Sequence, residues 1–151
     1  MNLQDEIKAL KQRIAELEER AKEEQEFPRD DDDYWCVDET GDILKGRWDG
    51  LDFEKDMLEI GNVFKTEEQA EFAAEKLKVE AELRKFSRPF KEDENNFFIQ
   101  TNSSHNNIVI DADDYSQIQG VIYFESQEKA QQAIQSVGEE RVKKYIFGVE
   151  D

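Results

Sequence analysis

The residues able to do chemistry are few and poorly spaced for it. One histidine, His105, sits in the polar stretch Asn102 to Asn107, and one cysteine, Cys36, lies far from it in the chain. They lack the short intervals that bring zinc ligands together, and a lone loop histidine among Asn and Ser reads as a solvated turn residue. Oxygen ligands are more plentiful, in Asp30 to Asp33 and in Asp111-Ala112-Asp113-Asp114. A calcium loop alternates its donors and needs a glycine at the sixth position and an acid at the twelfth, and neither run does so. Carboxylate pairs suited to acid–base work arise everywhere in a chain with 38 acids, so no pair singles itself out. There is no glycine-rich phosphate loop and no nucleophile elbow. The expectation is a protein with no enzymatic activity, no metal and no cofactor.

What the sequence offers instead is charge. The 151 residues carry a formal charge of −18, which repels nucleic acid and anionic membranes and favours a basic partner. The acids are unevenly spread: residues 28–62 hold twelve acids and four bases, residues 92–114 hold six acids and no bases, and residues 63–91 are net +1. Ten Phe, four Tyr and two Trp are too many aromatics for a disordered chain. A single cysteine precludes an internal disulfide, and no apolar run resembles a leader or a membrane span, so a soluble protein of a reducing cytoplasm is expected.

The elements that must display this charge begin with residues 1–27. Leu3, Ile7, Leu10, Ile14, Leu17 and Ala21 follow a 4,3,4,3,4 spacing, the seam of a coiled coil with Ile at a and Leu at d. That choice favours a parallel two-stranded coil, and Glu6 would face Lys11, and Arg13 would face Glu18, across it. The seam is three heptads long and Glu24 occupies its next d position. The alternative is a charged helix lying on its own domain. Residues 28–33 read as an acidic linker, and residues 34–151 as a small domain.

That domain contains a near-repeat. Phe64 to Ala70 aligns with Phe124 to Ala130, and Ala73, Ala74 and Leu77 fall on Ala133, Ile134 and Val137, all at an offset of 60. In each copy a hydroxyl residue, Thr66 or Ser126, opens a helix, with Glu68 or Glu128 in its first turn. Strands are predicted over 34–38 and 43–48 around the turn Glu39-Thr40-Gly41-Asp42, over 97–101 and 108–111, and over 121–124. Two β-hairpin-plus-helix units, about 34–88 and 97–147, make an α+β domain with helices on one face of a mostly antiparallel sheet.

The first repeat helix is apolar on two sides. Ala70, Ala73, Ala74, Leu77 and Ala81 form one stripe, and Phe72, Val79, Leu83 and Phe86 another. The second stripe is expected at an oligomer contact or an intrachain helix pair. Gly120 to Ser126 also resembles a strand of an RNA-recognition motif, but the negative surroundings and the missing basic strand signature argue against base stacking and direct nucleic-acid binding.

Residues Ile60-Gly61-Asn62-Val63-Phe64-Lys65-Thr66-Glu67-Glu68-Gln69-Ala70-Glu71, continuing to Lys76-Leu77-Lys78, resemble a segment of small acidic proteins encoded by phages and prophages of Gram-positive bacteria. Ile122 to Ser126 and Lys143 to Gly148 are similar to the tails of the same proteins. This resemblance implies a phage setting, in which small acidic proteins inhibit host defence, some of them as DNA mimics acting on Cas nucleases. The expectation is then a homodimer that acts in the host cytoplasm and presents acidic surfaces to a basic host protein, such as a Cas nuclease. The residues expected to bind it are Asp30, Asp31, Asp32, Asp33, Asp49, Asp52, Asp56, Asp111, Asp113 and Asp114. Other readings are sequestration of a signalling nucleotide by Trp48, Arg84, Lys85 or Arg88, a structural role in the virion, and an acidic shell that serves solubility alone.

Overall fold

The computed structural model describes residues 2–24, 26–102 and 107–150. His105 lies outside the described residues. The order is α1 (Leu3–Glu24), β1 (Asp33–Val37), β2 (Ile43–Arg47), α2 (Asp52–Glu59), α3 (Glu67–Arg84), β3 (Asn96–Thr101), β4 (Ile108–Asp113), α4 (Gln127–Val137) and α5 (Glu139–Phe147). The fold is α+β, and its strands form two separate two-stranded ribbons, β1-β2 and β3-β4, where one sheet was expected. The chain divides into two compact units, Met1–Cys36 with Leu44–Glu67, and Val37–Ile43 with Glu68–Asp151.

In the first unit, α1 is opened by Asn2, whose Oδ1 accepts the Asp5 N–H at 2.9 Å. Its last turn is closed by Arg29, whose guanidinium donates to the Lys22 carbonyl at 2.7 Å. No described residue of α1 is buried. Leu3, Ile7, Leu10, Ile14 and Leu17 are between 46% and 76% exposed, so the rest of the first unit leaves the seam uncovered.

The core of this unit is aromatic. The alternation of β1 turns Tyr34 and Cys36 inward, where they pack with Trp48 and with Phe27, Met57 and Val63. Tyr34 meets Trp48 edge to face at 5.8 Å. Gly46 is the residue β2 needs beneath that ring, because an added Cβ would stand 2.6 Å from Tyr34 Cζ. The segment expected as a linker is instead built into the hairpin base: Asp31 N–H donates to the Trp48 carbonyl at 2.9 Å, and Trp48 N–H to the Asp32 carbonyl at 2.8 Å.

In the second unit the tip Asp38 to Asp42 is the expected turn. Asp38 Oδ1 accepts from Thr40 N–H, Thr40 Oγ1 and Asp42 N–H, while Gly41 takes the positive φ of 89°. The β3-β4 ribbon is antiparallel with Ile99 opposite Ile110. Phe97, Ile99, Ile108 and Ile110 pack against a core of Val79 and Leu83 from α3, Phe124, Ala130, Ala133 and Val137, and Val142 from α5. Ser126 caps α4 by accepting Lys129 N–H at 3.1 Å.

The expected strand over 121–124 reduces to bridges at Phe124, which pairs with both Phe97 and Ser87. Phe64 pairs with Trp35 in the same antiparallel manner in the first unit. Each phenylalanine ahead of a repeat helix is thus stitched to the first strand of its hairpin.

The second stripe on α3 resolves into an intrachain contact. Val79 and Leu83 are buried in the core, so these two do not serve an oligomer contact, and Phe86, half-buried, packs against the same core. Phe72 is 38% exposed with its ring 5.1 Å from Tyr145 of α5. Arg141 of α5 reaches Glu75 at 3.8 Å and Glu82 at 3.3 Å on α3. The cover for that stripe is α5, a helix the sequence reading did not contain.

Candidate functional site

The acidic residues separate into those committed to the fold and those left over. Three of the four consecutive aspartates are engaged by the chain's own cations: Asp31 by Arg47 at 3.4 Å, Asp32 by Arg29 at 3.5 Å and Asp33 by Lys45 at 3.7 Å. Lys45 also lies over the Trp35 ring, 5.3 Å from its centre. Exposed pairs of this kind stabilise weakly, yet they cancel the charge a basic partner would read. Asp32 additionally accepts the Arg29 N–H at 2.8 Å, which fixes the turn.

Asp30, Asp49, Asp52 and Asp56 are exposed, and no side-chain hydrogen bond or ion pair holds their carboxylates among the described residues. Asp52, Asp56 and Glu59 recur at intervals of four and three and share one face of α2. On a helix such neighbours stand roughly 5–6 Å apart between Cβ atoms. Beside this acidic stripe an apolar ridge is exposed: Phe53 in the helix at 57% and Ile60, its C-cap residue, at 79%, seven residues apart and so nearly in line. Leu51 and Leu58 are also exposed.

The rigidity of that face comes from Glu54 on the opposite side of α2. Its carboxylate is buried, and Oε1 accepts Asp49 N–H at 3.0 Å and Leu51 N–H at 3.1 Å. Burial alone would push the Glu54 carboxyl up, but hydrogen bonds from Leu51 N–H, the Tyr34 hydroxyl, Asp49 N–H and Gly50 N–H outweigh it and hold the group below the usual carboxylate range. The Tyr34 hydroxyl moves the other way, raised by burial and then by its hydrogen bond to the Glu54 anion. A buried anion thus locks the loop Asp49–Leu51 and the first turn of α2, and orients the exposed acids.

In the second unit Asp113 is a turn former. Its carboxylate accepts Tyr115 N–H at 2.9 Å and Ser116 N–H at 3.1 Å, and these bonds hold it below the usual carboxylate range. Asp111 accepts Gln100 Nε2 at 2.8 Å across the ribbon, and the Asp114 carbonyl receives Asp93 N–H at 3.3 Å. Among the residues weighed for nucleotide capture, Trp48 is only 7% exposed. Arg88 spends its donors on the Pro89 and Asn95 carbonyls and on Asn96 Oδ1, while Arg84 faces Glu80 at 3.6 Å. Neither guanidinium is unengaged for an anion. A groove of about 510 Å³ along α3 and α5 mixes Glu68, Glu71 and Glu75 with Lys78 and Lys144 and favours no one charge of ligand.

Among the described residues no group of three or more His, Cys, Asp or Glu side chains comes together to hold a metal ion, and no helix is long and apolar enough to cross a membrane. Phe53, Ile60 and Glu54 were missed in the sequence because α2 itself was missed. Glu54 stands three residues after the helix-opening Leu51, where a capping-box acid belongs, and that spacing was the available signal. No protein-family model matches the chain, and neither curated proteins nor solved structures give a significant match.

Proposed function

We propose that this protein is a non-enzymatic inhibitory binding protein that acts in the cytoplasm, and that its α2 face engages the basic nucleic-acid-binding surface of a host defence nuclease in place of DNA. The observation that carries the reading is the unengaged acidic stripe Asp52, Asp56 and Glu59 beside exposed Phe53 and Ile60. Carboxylates stand in for phosphates, steering the encounter and specifying a cationic partner. The apolar ridge supplies what charge alone does not, a desolvated anchor of the kind that concentrates binding energy at an interface. Resemblance of residues 60–78 and 122–148 to small acidic phage proteins supplies the biological setting, with a Cas nuclease as one such target.

The test is capture by the tagged protein from Gram-positive lysates carrying different defence systems, repeated with competing double-stranded DNA and with two variants. A nuclease retained by the wild type, displaced by DNA and lost with the Asp49→Asn, Asp52→Asn, Asp56→Asn triple variant supports the reading. Phe53→Ala should weaken the same complex by about tenfold or more. Retention unchanged in the triple variant, or no partner under any condition, overturns it.

A further inference from the structure

We infer that α1 binds a second copy of this chain as a parallel, in-register two-stranded coiled coil, independently of what α2 contacts. The need for a partner follows from the helix itself. Twenty-two residues of helix with no buried side chain have little beyond local propensity and their end caps to hold them, whereas helices in proteins draw most of their stability from packing an apolar face. Its apolar residues are nevertheless ordered into a single seam, Leu3, Ile7, Leu10, Ile14 and Leu17, every one of them more than two-fifths exposed. Ala21 continues the seam at the next a position.

The identity of the partner comes from complementarity that the seam and its flanks have with themselves. Ile at a and Leu at d is the combination that selects two parallel strands. In a parallel pair Glu6 of each copy faces Lys11 of the other, and Arg13 faces Glu18, giving four attractive contacts. An antiparallel pair, with Ile7 opposite Leu17 and Leu10 opposite Ile14, gains Glu6 against Arg20 but sets Arg13 against Arg13 and Lys11 against Lys11 at its centre. Among the described residues Arg13 is held only by an exposed pair with Glu16 at 3.4 Å, which costs little to exchange. Burial of the seam supplies the affinity, and the flanking charges choose the orientation.

Sedimentation and light scattering of the full chain should show a species of twice 17.8 kDa at concentrations of tens to hundreds of micromolar, dissociating on dilution. Leu10→Asp should raise the dissociation constant by about a hundredfold or more. Because no α1 side chain is buried in the domain, the aromatic circular dichroism of Tyr34 and Trp48 should stay unchanged in that variant. Orientation is read by oxidation. Leu10→Cys chains should join to one another, and a mixture of Ile7→Cys chains with Leu17→Cys chains should link like to like. Wild type that stays at 17.8 kDa throughout that range, a Leu10→Cys chain that does not cross-link, or a dominant 7-to-17 link would overturn the inference.

Discussion

At the scale of the residue, Glu54 decides the behaviour of the α2 face. Replacing it with alanine strands the Asp49 and Leu51 N–H donors in a buried site and should cost about 2–3 kcal/mol, measured by urea denaturation. Glu54→Gln separates charge from shape through pH. The wild-type carboxyl is held below its ordinary value of 4.5, so its contribution is complete above that pH and is lost as pH falls through the lower folded value. The stability gap between wild type and Glu54→Gln should therefore be constant at neutral pH and shrink below about pH 4.5. Tyr34 has the opposite sign: its raised hydroxyl favours the fold until pH rises past the ordinary value of 10.0, and Tyr34→Phe should remove that alkaline loss. Gly46→Ala should destabilise the same core, since the new methyl would meet a Tyr34 ring already fixed by Trp48 and Glu54.

At the scale of the element, the two phenylalanines that precede α3 and α4 each bridge to the first strand of their hairpin, Phe124 with a second bridge to Ser87, but they pack unequally. Phe124 is fully buried and Phe64 only partly, so Phe124→Ala should cost about 3–5 kcal/mol and Phe64→Ala clearly less, as read from the two thermal melts. Both helices were legible in the sequence because a capping residue and an alanine-rich stripe are local signals. So was α1, whose period is carried by five large aliphatic residues. Short α2 and α5 were not legible. Each is bracketed by glycines, Gly50 and Gly61 or Gly138 and Gly148, but neither has a Ser, Thr, Asp or Asn cap, and their apolar residues are too few to establish a period. The four strands that form were placed to within two residues, while the fifth expected, over 121–124, reduces to bridges at Phe124, and the division into two ribbons depends on pairing between distant segments, which periodicity does not encode. The acids were legible only as a count. That Asp31, Asp32 and Asp33 are answered by Arg47, Arg29 and Lys45 is decided largely by cross-strand register, and it shifts the candidate surface to α2.

At the scale of the whole molecule, a formal charge of −18 on 151 residues means that the folded chain repels itself. Added salt screens that repulsion, with a Debye length of roughly 10 Å at 0.1 M, so the thermal midpoint should rise between low and moderate sodium chloride. The same salt should loosen the complex with a basic partner, so stability and binding should respond in opposite directions. Neutralising Asp49, Asp52 and Asp56 together should leave the midpoint nearly unchanged, since among the described residues no side-chain hydrogen bond or ion pair holds these carboxylates. Cys36, the chain's one thiol, adds a different consequence. It is 7% exposed inside the first unit's aromatic core, so a dissolved electrophile reaches it only when that core opens. Its alkylation rate is therefore a built-in clock for the breathing of the unit that carries α2, and a partner clamped onto that helix would slow the clock without touching the sulfur.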